Sequence, residues 1–300
     1  MEQTSPIYLS KEEFLSVQKR KIGYGKDGVT FRYNRQEIIK IYHKNLENIM
    51  LSLTATEKDS VKIYEKGNYD ERVFDVLTAY IYNEESDERL KLPSKNAIKL
   101  AIEKQKRITK TRLPKNLVYV EKIFAGCLID YQKGIQIHKL KGLPFSLKRQ
   151  ITLEILKIVR ELIENNIYHV DLDNSPYSSK SVFIHSNGTK ELVGHSHILV
   201  DYRLHPHLID LEGKSTIYTQ RKDELYEHEC LFRLMNLIFD FLFDIDIDGL
   251  YNIDFEKEAL EFELEKAGVD DKHIAIVSEY NSSIDEIEDF VKTLNIRRSL

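Results

Sequence analysis

Polar and apolar positions alternate early in the chain and then change to a helical spacing. VQKRKIGYG leads into the turn KDG, and VTFRYN leads through RQ to EIIKIY, so residues 17–43 are predicted to form a β-hairpin. DERVFDVLTAYIY, residues 70–82, has helical spacing, and the acidic run NEESDERLK after it reads as an exposed connection. AIKLAIEKQKRI places Ile98, Ile102 and Ile108 on a helical stripe that Pro114 closes. NLVYVEK and IFAGCLIDY read as adjacent antiparallel strands with YQKG as their polar exit. Four or five strands and one helix up to about residue 130 make a small α+β lobe.

The pattern beyond that point is mainly helical. SLKRQITLEILKIVRELIENN carries Leu147, Ile151, Ile155, Val159 and Leu162 at helical intervals, with Ser146 as the expected N-cap. Short strand-like pieces follow, SVFI, HILVDY and HPHLIDL, with a turn signal at Asn187-Gly188. CLFRLMNLIFDFLF is apolar nearly all round, as a helix at the centre of a core should be. FEKEALEFELEKAG ends on Gly268 as the residue just past a helix, and SSIDEIEDFVKTL opens with the capping box Ser283…Glu286.

Composition narrows the class. The 300 residues carry a formal net charge of -5 with basic residues interspersed among acids, which gives no electrostatic reason to bind nucleic acid. No apolar run reaches the length of a membrane span, and MEQTSPIYLSKEE lacks the basic start and apolar stretch of an export signal. Cys127 and Cys230 are too few for a disulfide framework, so the expected compartment is the cytoplasm.

Three segments then stand in order: IGYGKDGVTF…EIIKIY, YHVDLDN after the long amphipathic helix, and HLIDLEG after a strand-like run. The ordered set resembles the protein-kinase superfamily, over roughly residues 17–265. A glycine-rich loop precedes a strand lysine, an H-x-D-L catalytic loop follows, and an Asp stands in place of the D-F-G motif. The resemblance implies an α+β, two-lobed protein kinase-like fold, with a small β-rich N-lobe (1–130, with an insertion at about 44–95) and a larger, mainly helical C-lobe (134–300). It implies ATP and Mg²⁺ in the cleft and transfer of the γ-phosphoryl group to a hydroxyl, with a slight preference for a protein Ser/Thr acceptor. A small-molecule kinase of the aminoglycoside or choline kinase type is the enzymatic alternative, because the chain after Gly213 is short and lacks A-P-E. A nucleotide-binding pseudokinase acting as a regulatory module is the other.

The residue types suit that chemistry, which is mostly positioning and neutralisation of phosphate charge. Gly23, Gly25 and Gly28 leave backbone N–H groups free to approach phosphate. Lys40 is implied to grip the α- and β-phosphates, held by Glu103 on the following helix, with Glu71 as the rival. Asp171 matches the catalytic aspartate that accepts a hydroxyl proton, and His169 matches a packed structural histidine. Val170 replaces the arginine that commonly reads an activation-loop phosphate. Asp210 matches the Mg²⁺-binding aspartate, and Glu212 is a further candidate oxygen donor. The place of the second metal ligand, an Asn five residues after the catalytic Asp, is Pro176; Asn174 is the favoured substitute, and Ser181, directly before VFI, the other. For adenine, the resemblance implies Ile22 as roof, Ile129, Asp130, Tyr131 and on to Lys133 as the hinge region, Phe183 as floor, and Ile38 narrowing the pocket.

Two other patterns are expected to be bland. DIDIDG at 244–249 imitates a calcium loop, but position twelve would be Phe255, so a solvated acidic turn is expected. His195, His197, His205 and His207 have strand-face spacing without a zinc pattern, and are expected to be exposed hairpin histidines.

Overall fold

A computed structural model describes residues 5–24, 28–42, 45, 49, 95–172, 182–184, 190–192, 197–213, 215–245, 257–271, 273–274 and 282–294. The expected helix over 70–82 lies outside them.

The first strand, β1 (Ile7–Leu9), is followed by α1 (Lys11–Gln18), whose last two residues the sequence pattern placed at the start of the hairpin. Ser10 and Glu13 close a capping box: Glu13 N–H donates to the Ser10 hydroxyl at 3.2 Å, and Ser10 N–H donates to the Glu13 carboxylate at 2.8 Å. Val17, expected in a strand, is instead buried beside Phe14 on the inner face of α1.

β2 (Lys21–Tyr24), β3 (Gly28–Arg32) and β4 (Glu37–Tyr42) form a three-stranded meander on the three runs marked in the sequence. With β1, β5 (Asn116–Val120) and β6 (Ile123–Asp130) they make a six-stranded sheet in the order β1-β5-β6-β4-β3-β2. Only β1 runs parallel to its neighbour. The period of two in β4 sends Ile39 and Ile41 to an apolar face covered by α1, and Lys40 and Tyr42 to the other. On that second face Tyr42, Leu117, Cys127 and Ile129 pack with Ile98 from α2 (Lys95–Lys104). Position 40 is thereby turned inward.

β7 (Ile135–Gln136) leaves the sheet and pairs with β11 (Ile198–Val200), which in turn pairs with β12 (Pro206–Leu208). α3 (Phe145–Glu164) buries Ile151, Ile155, Val159 and Leu162 as expected. Its cap is Pro144, without a side-chain hydrogen bond, so Ser146 lies inside the first turn and does not cap it. Proline is suited to this place because the first helical N–H groups have no intrahelical acceptor. Asn166, at φ 55, reverses the chain into β8 (Ile167–His169), which pairs with β13 (Thr216–Tyr218).

VFI forms β9 (Val182–Ile184) and, among the described residues, pairs with β10 (Lys190–Leu192) in a separate two-stranded sheet. α4 (Glu224–Phe243) lies at the centre of the helical core, with α5 (Lys257–Lys266) and α6 (Ile284–Thr293) contributing Leu260, Leu264, Ile287, Phe290 and Val291. Gly268 follows α5 at φ 84, and the expected Ser283…Glu286 capping box is present. The architecture is α+β, a β-rich sheet region followed by a mainly helical one. No helix among the described residues is long and apolar enough to cross a membrane.

Candidate functional site

Lys40 is buried, and burial of an ammonium costs several kcal/mol unless anions meet it. Its Nζ forms an ion pair with Asp210 Oδ1 and a second with Glu212 Oε1, the latter at 3.1 Å. Asp210 and Glu212 come from the turn that follows β12. Asp210 takes a left-handed backbone at φ 63, and its carbonyl accepts from Gly213 N–H at 2.9 Å. A non-glycine residue in that region is uncommon and clusters at functional sites. The turn is fastened from the sheet side by the Tyr42 hydroxyl, which donates to the Glu212 carbonyl at 2.9 Å. Tyr218 fastens it from β13, donating to the Leu211 carbonyl at 2.5 Å.

The two carboxylates differ because one ammonium serves both. Burial acts to raise the Asp210 carboxyl, but the adjacent Lys40 ammonium and His197 outweigh it and hold the group well below the usual carboxylate range. Burial pushes Glu212 up to about 7, with Lys40 opposing the rise and the Asp210 charge adding to it. Asp210 is therefore the permanent anion, and Glu212 titrates near neutrality.

Asp171 reaches the same place from the end of β8. Its carboxylate accepts a hydrogen bond from the Ser215 hydroxyl at 3.1 Å and is 42% exposed, so it is open to solvent. Val170 N–H donates to the Ser215 carbonyl at 2.9 Å, which fixes that register. His169 is buried, with Nδ1 2.9 Å from the Thr216 hydroxyl, and its Nε2 has no hydrogen-bond partner among the described residues. Burial, followed by the neighbouring His197, pulls its imidazole down to about 3, so the ring is neutral. The structural role expected for His169 fits this packing.

His197 joins the two aspartates. Its Nδ1 lies 2.5 Å from the Asp171 carbonyl oxygen and 3.7 Å from Asp171 Oδ2, and its Nε2 lies 3.7 Å from Asp210 Oδ2. The ring packs edge-on to His169 at 5.3 Å between centroids. The sequence pattern placed it among exposed hairpin histidines, yet it is buried. His205 and His207 do lie on the β11–β12 hairpin, with ring nitrogens 3.8 and 3.4 Å from Asp201; His195 is outside the described residues. The hairpin that runs into Asp210 thus begins after His197, and not at VFI. Ser181, proposed as a ligand because it precedes VFI, loses that rationale and lies outside the described residues, as does Asn174.

Other expected residues fall differently. Glu103 is exposed on α2 and makes no ion pair with Lys40; the carboxylates on Lys40 among the described residues are Asp210 and Glu212. Its rival Glu71 and the loop residue Gly25 lie outside the described residues. Gly28 sits in β3 opposite Tyr42, where a Cβ would run into the Ile41 carbonyl, so close strand packing accounts for it. A Cβ at Gly23 would meet nothing within 4 Å among the described residues, so close packing does not account for this glycine. Ile22 is 43% exposed at the sheet's end, and Ile129 is buried on the Lys40 face beside the half-buried Ile38. Asp130 is engaged by Lys115 at 2.5 Å and Arg112 at 3.7 Å. Tyr131 N–H donates to the Gln36 carbonyl at 2.7 Å, and its ring lies under the Arg32 guanidinium, so this amide is committed within the fold. Phe183, expected as a floor, is on β9, which pairs with β10 and is not part of the hairpin that continues into Asp210.

The acidic run at 244 starts on Asp244, which ends α4 at φ 59 and lies 3.8 Å from both Lys141 and Lys148. Among the described residues no three His, Cys, Asp or Glu side chains form a ready metal cage. No model of a known protein family matches the chain, and no curated protein matches it.

Proposed function

We propose that the chain is a protein kinase-like phosphotransferase that uses ATP and Mg²⁺ to phosphorylate a hydroxyl. One observation carries the reading: Lys40 on a sheet strand, Asp171 after β8 and Asp210 after β12 are linked through direct ion pairs and His197. The donor set suits the expected groups. The carboxylate of Asp210 matches a hard divalent cation, with Asn174 expected to join it, and the buried ammonium matches phosphate. When bound, Mg²⁺ supplies neutralisation of phosphate charge.

The chain's own residues do the rest. Lys40 positions the phosphates, and its link to Glu212 holds the ammonium in place once Asp210 turns to other work. Asp171 accepts the proton of the incoming hydroxyl, a reading supported by the Ser215 hydroxyl that donates to its Oδ2. Gly23 gives backbone access from the sheet's end.

A second reading concerns the acceptor. The segment after Gly213 is short and tied down, because Thr216–Tyr218 pairs with β8 and α4 begins at Glu224. That favours a small hydroxyl compound over the protein Ser/Thr expected from the sequence. Labelling with γ-³²P-ATP in cell lysate, using wild type, Lys40→Ala and Asp171→Ala, tests both readings. Transfer that both variants lose supports the enzyme, and label in protein or in the metabolite pool identifies the acceptor class. Unaltered transfer by Asp171→Ala would refute the assignment.

A further inference from the structure

One surface carries a charge that the balance of the whole chain conceals. Residues 95–115 hold eight basic residues and one acidic residue, Glu103, in a chain whose net charge is -5. Three of the eight are engaged: Lys115 and Arg112 with Asp130, and Lys104 with the Asn165 carbonyl. Lys110 lies beside the Glu161 carboxylate, to which its N–H donates at 2.8 Å. Lys95, Lys99, Lys106 and Arg107 are exposed, and their side chains make no ion pair among the described residues.

The local fold puts these four in a row. α2 turns Ile98 and Ala101 into the core, so Lys95 and Lys99, one turn apart, stand on its outer side. The 3₁₀ turn Gln105–Arg107 carries the row on to Lys106 and Arg107, over about 20 Å in all. Glu103 stands in the same row and subtracts from its charge. The field is nonetheless positive: after burial, it is Arg107 that holds the Lys104 ammonium below its usual range.

At the Lys95 end the row meets aromatic rings. Lys95 Nζ lies 5.0 Å from the Tyr119 ring centroid. Tyr8, the register partner of Tyr119 on the edge strand β1, stacks on it with centroids 5.1 Å apart and planes at 20°. Tyr8 is 63% exposed, so a ring braced from behind is open to solvent. Cations leading away from an open aromatic ring suit phosphates that carry unpaired bases. An anionic membrane would draw on apolar side chains of the same face, and those of α2 point inward. An acidic peptide has no base to stack.

We propose that this face binds single-stranded nucleic acid, with phosphates along Lys95, Lys99, Lys106 and Arg107 and a base on the Tyr8 ring. The proposal does not depend on phosphoryl transfer, and loss of either leaves the other standing.

Fluorescence anisotropy of the full chain with fluorescein-labelled oligo(dT) and oligo(U), titrated with KCl, tests it; the two strands distinguish DNA from RNA. Binding should weaken with salt at a logarithmic slope of about -3, as four phosphate contacts require. Lys99→Glu with Lys106→Glu, both exposed, should weaken it by about 20-fold or more and flatten the slope by about 1.4. Tyr8→Ala should weaken it by about tenfold with the slope unchanged, and Tyr8→Phe should restore it. Thermal melts check that each variant is folded. No binding of either strand at about 50 mM KCl would overturn the proposal. So would affinity that ignores Tyr8→Ala and that polyglutamate matches, which marks a site for acidic protein. Capture by phosphatidylserine vesicles without oligonucleotide binding would overturn it in favour of a membrane.

Discussion

Lys40 and Asp210 stand 170 positions apart in the chain and form an ion pair at the face of the sheet. The pair is closed by Glu212, so one buried ammonium faces two carboxylates of unequal acidity. Much of what the site should do follows from that inequality.

Replacing the ammonium leaves the acids without a counter-charge. Lys40→Met keeps most of the apolar stem and should cost about 3–5 kcal/mol of stability at pH 8. The cost should shrink at pH 5, where Glu212 carries its proton and only Asp210 is left charged. Urea denaturation at the two pH values measures it. An equal cost at both would show that the Glu212 contact contributes nothing.

Glu212 itself makes stability depend on pH. Its folded value of about 7 lies above the ordinary 4.5, so the folded protein holds the proton more tightly. Stability from this group is complete below about 4.5 and is lost as pH rises through 7, by about 3 kcal/mol in all. His169 acts in the opposite sense: held at about 3 against 6.5, its contribution is present above 6.5 and lost as pH falls. Glu212→Gln removes the first effect and leaves the second. Relative to wild type, the variant should therefore gain about 3 kcal/mol between pH 4 and pH 8, read by denaturation at each pH.

Parts of this site were legible in the sequence and parts were not. Lys40, Asp171 and Asp210 were marked by local motifs, and all three come together. Local signals also carried the Ser283…Glu286 cap, and the same signal at Ser10…Glu13 marked α1, where alternation over Val17 suggested a strand. The carboxylate that holds Lys40 was not legible, because it depends on how the turn after β12 approaches the sheet. Glu103, expected to hold Lys40, is exposed on α2. His197 was hidden by SVFI, which has the same strand-like composition as HILV; only pairing shows which of them continues to Asp210.

Gly126 belongs with the features that tertiary contact alone reveals. A Cβ there would overlap the Lys40 carbonyl across the β4–β6 pair, and backbone cannot yield as a side chain would. Gly126→Ala should cost about 2 kcal/mol or more and displace the strand that carries Lys40. Gly23→Ala meets open space and should leave the melting temperature nearly unchanged while reducing the stabilisation that ATP gives. Thermal melts with and without ATP compare the two. A Gly23→Ala protein that ATP stabilises as fully as wild type would place the phosphates elsewhere.

Asp171 separates chemistry from stability. Its carboxylate is solvent-open and, among the described residues, accepts from one hydroxyl, so Asp171→Asn should alter the melting temperature little. An amide cannot take the acceptor's proton, and phosphoryl transfer should fall by about 10²–10⁴-fold with nucleotide affinity kept. Ser215→Ala removes the hydroxyl now on that oxygen at a cost of about 1 kcal/mol, and the acceptor hydroxyl then has no competitor. Its turnover should stay well above that of Asp171→Asn, and single-turnover labelling of the two proteins side by side decides it. Equal loss in both would mean that Ser215 takes part in the transfer and does not merely hold the place of the acceptor.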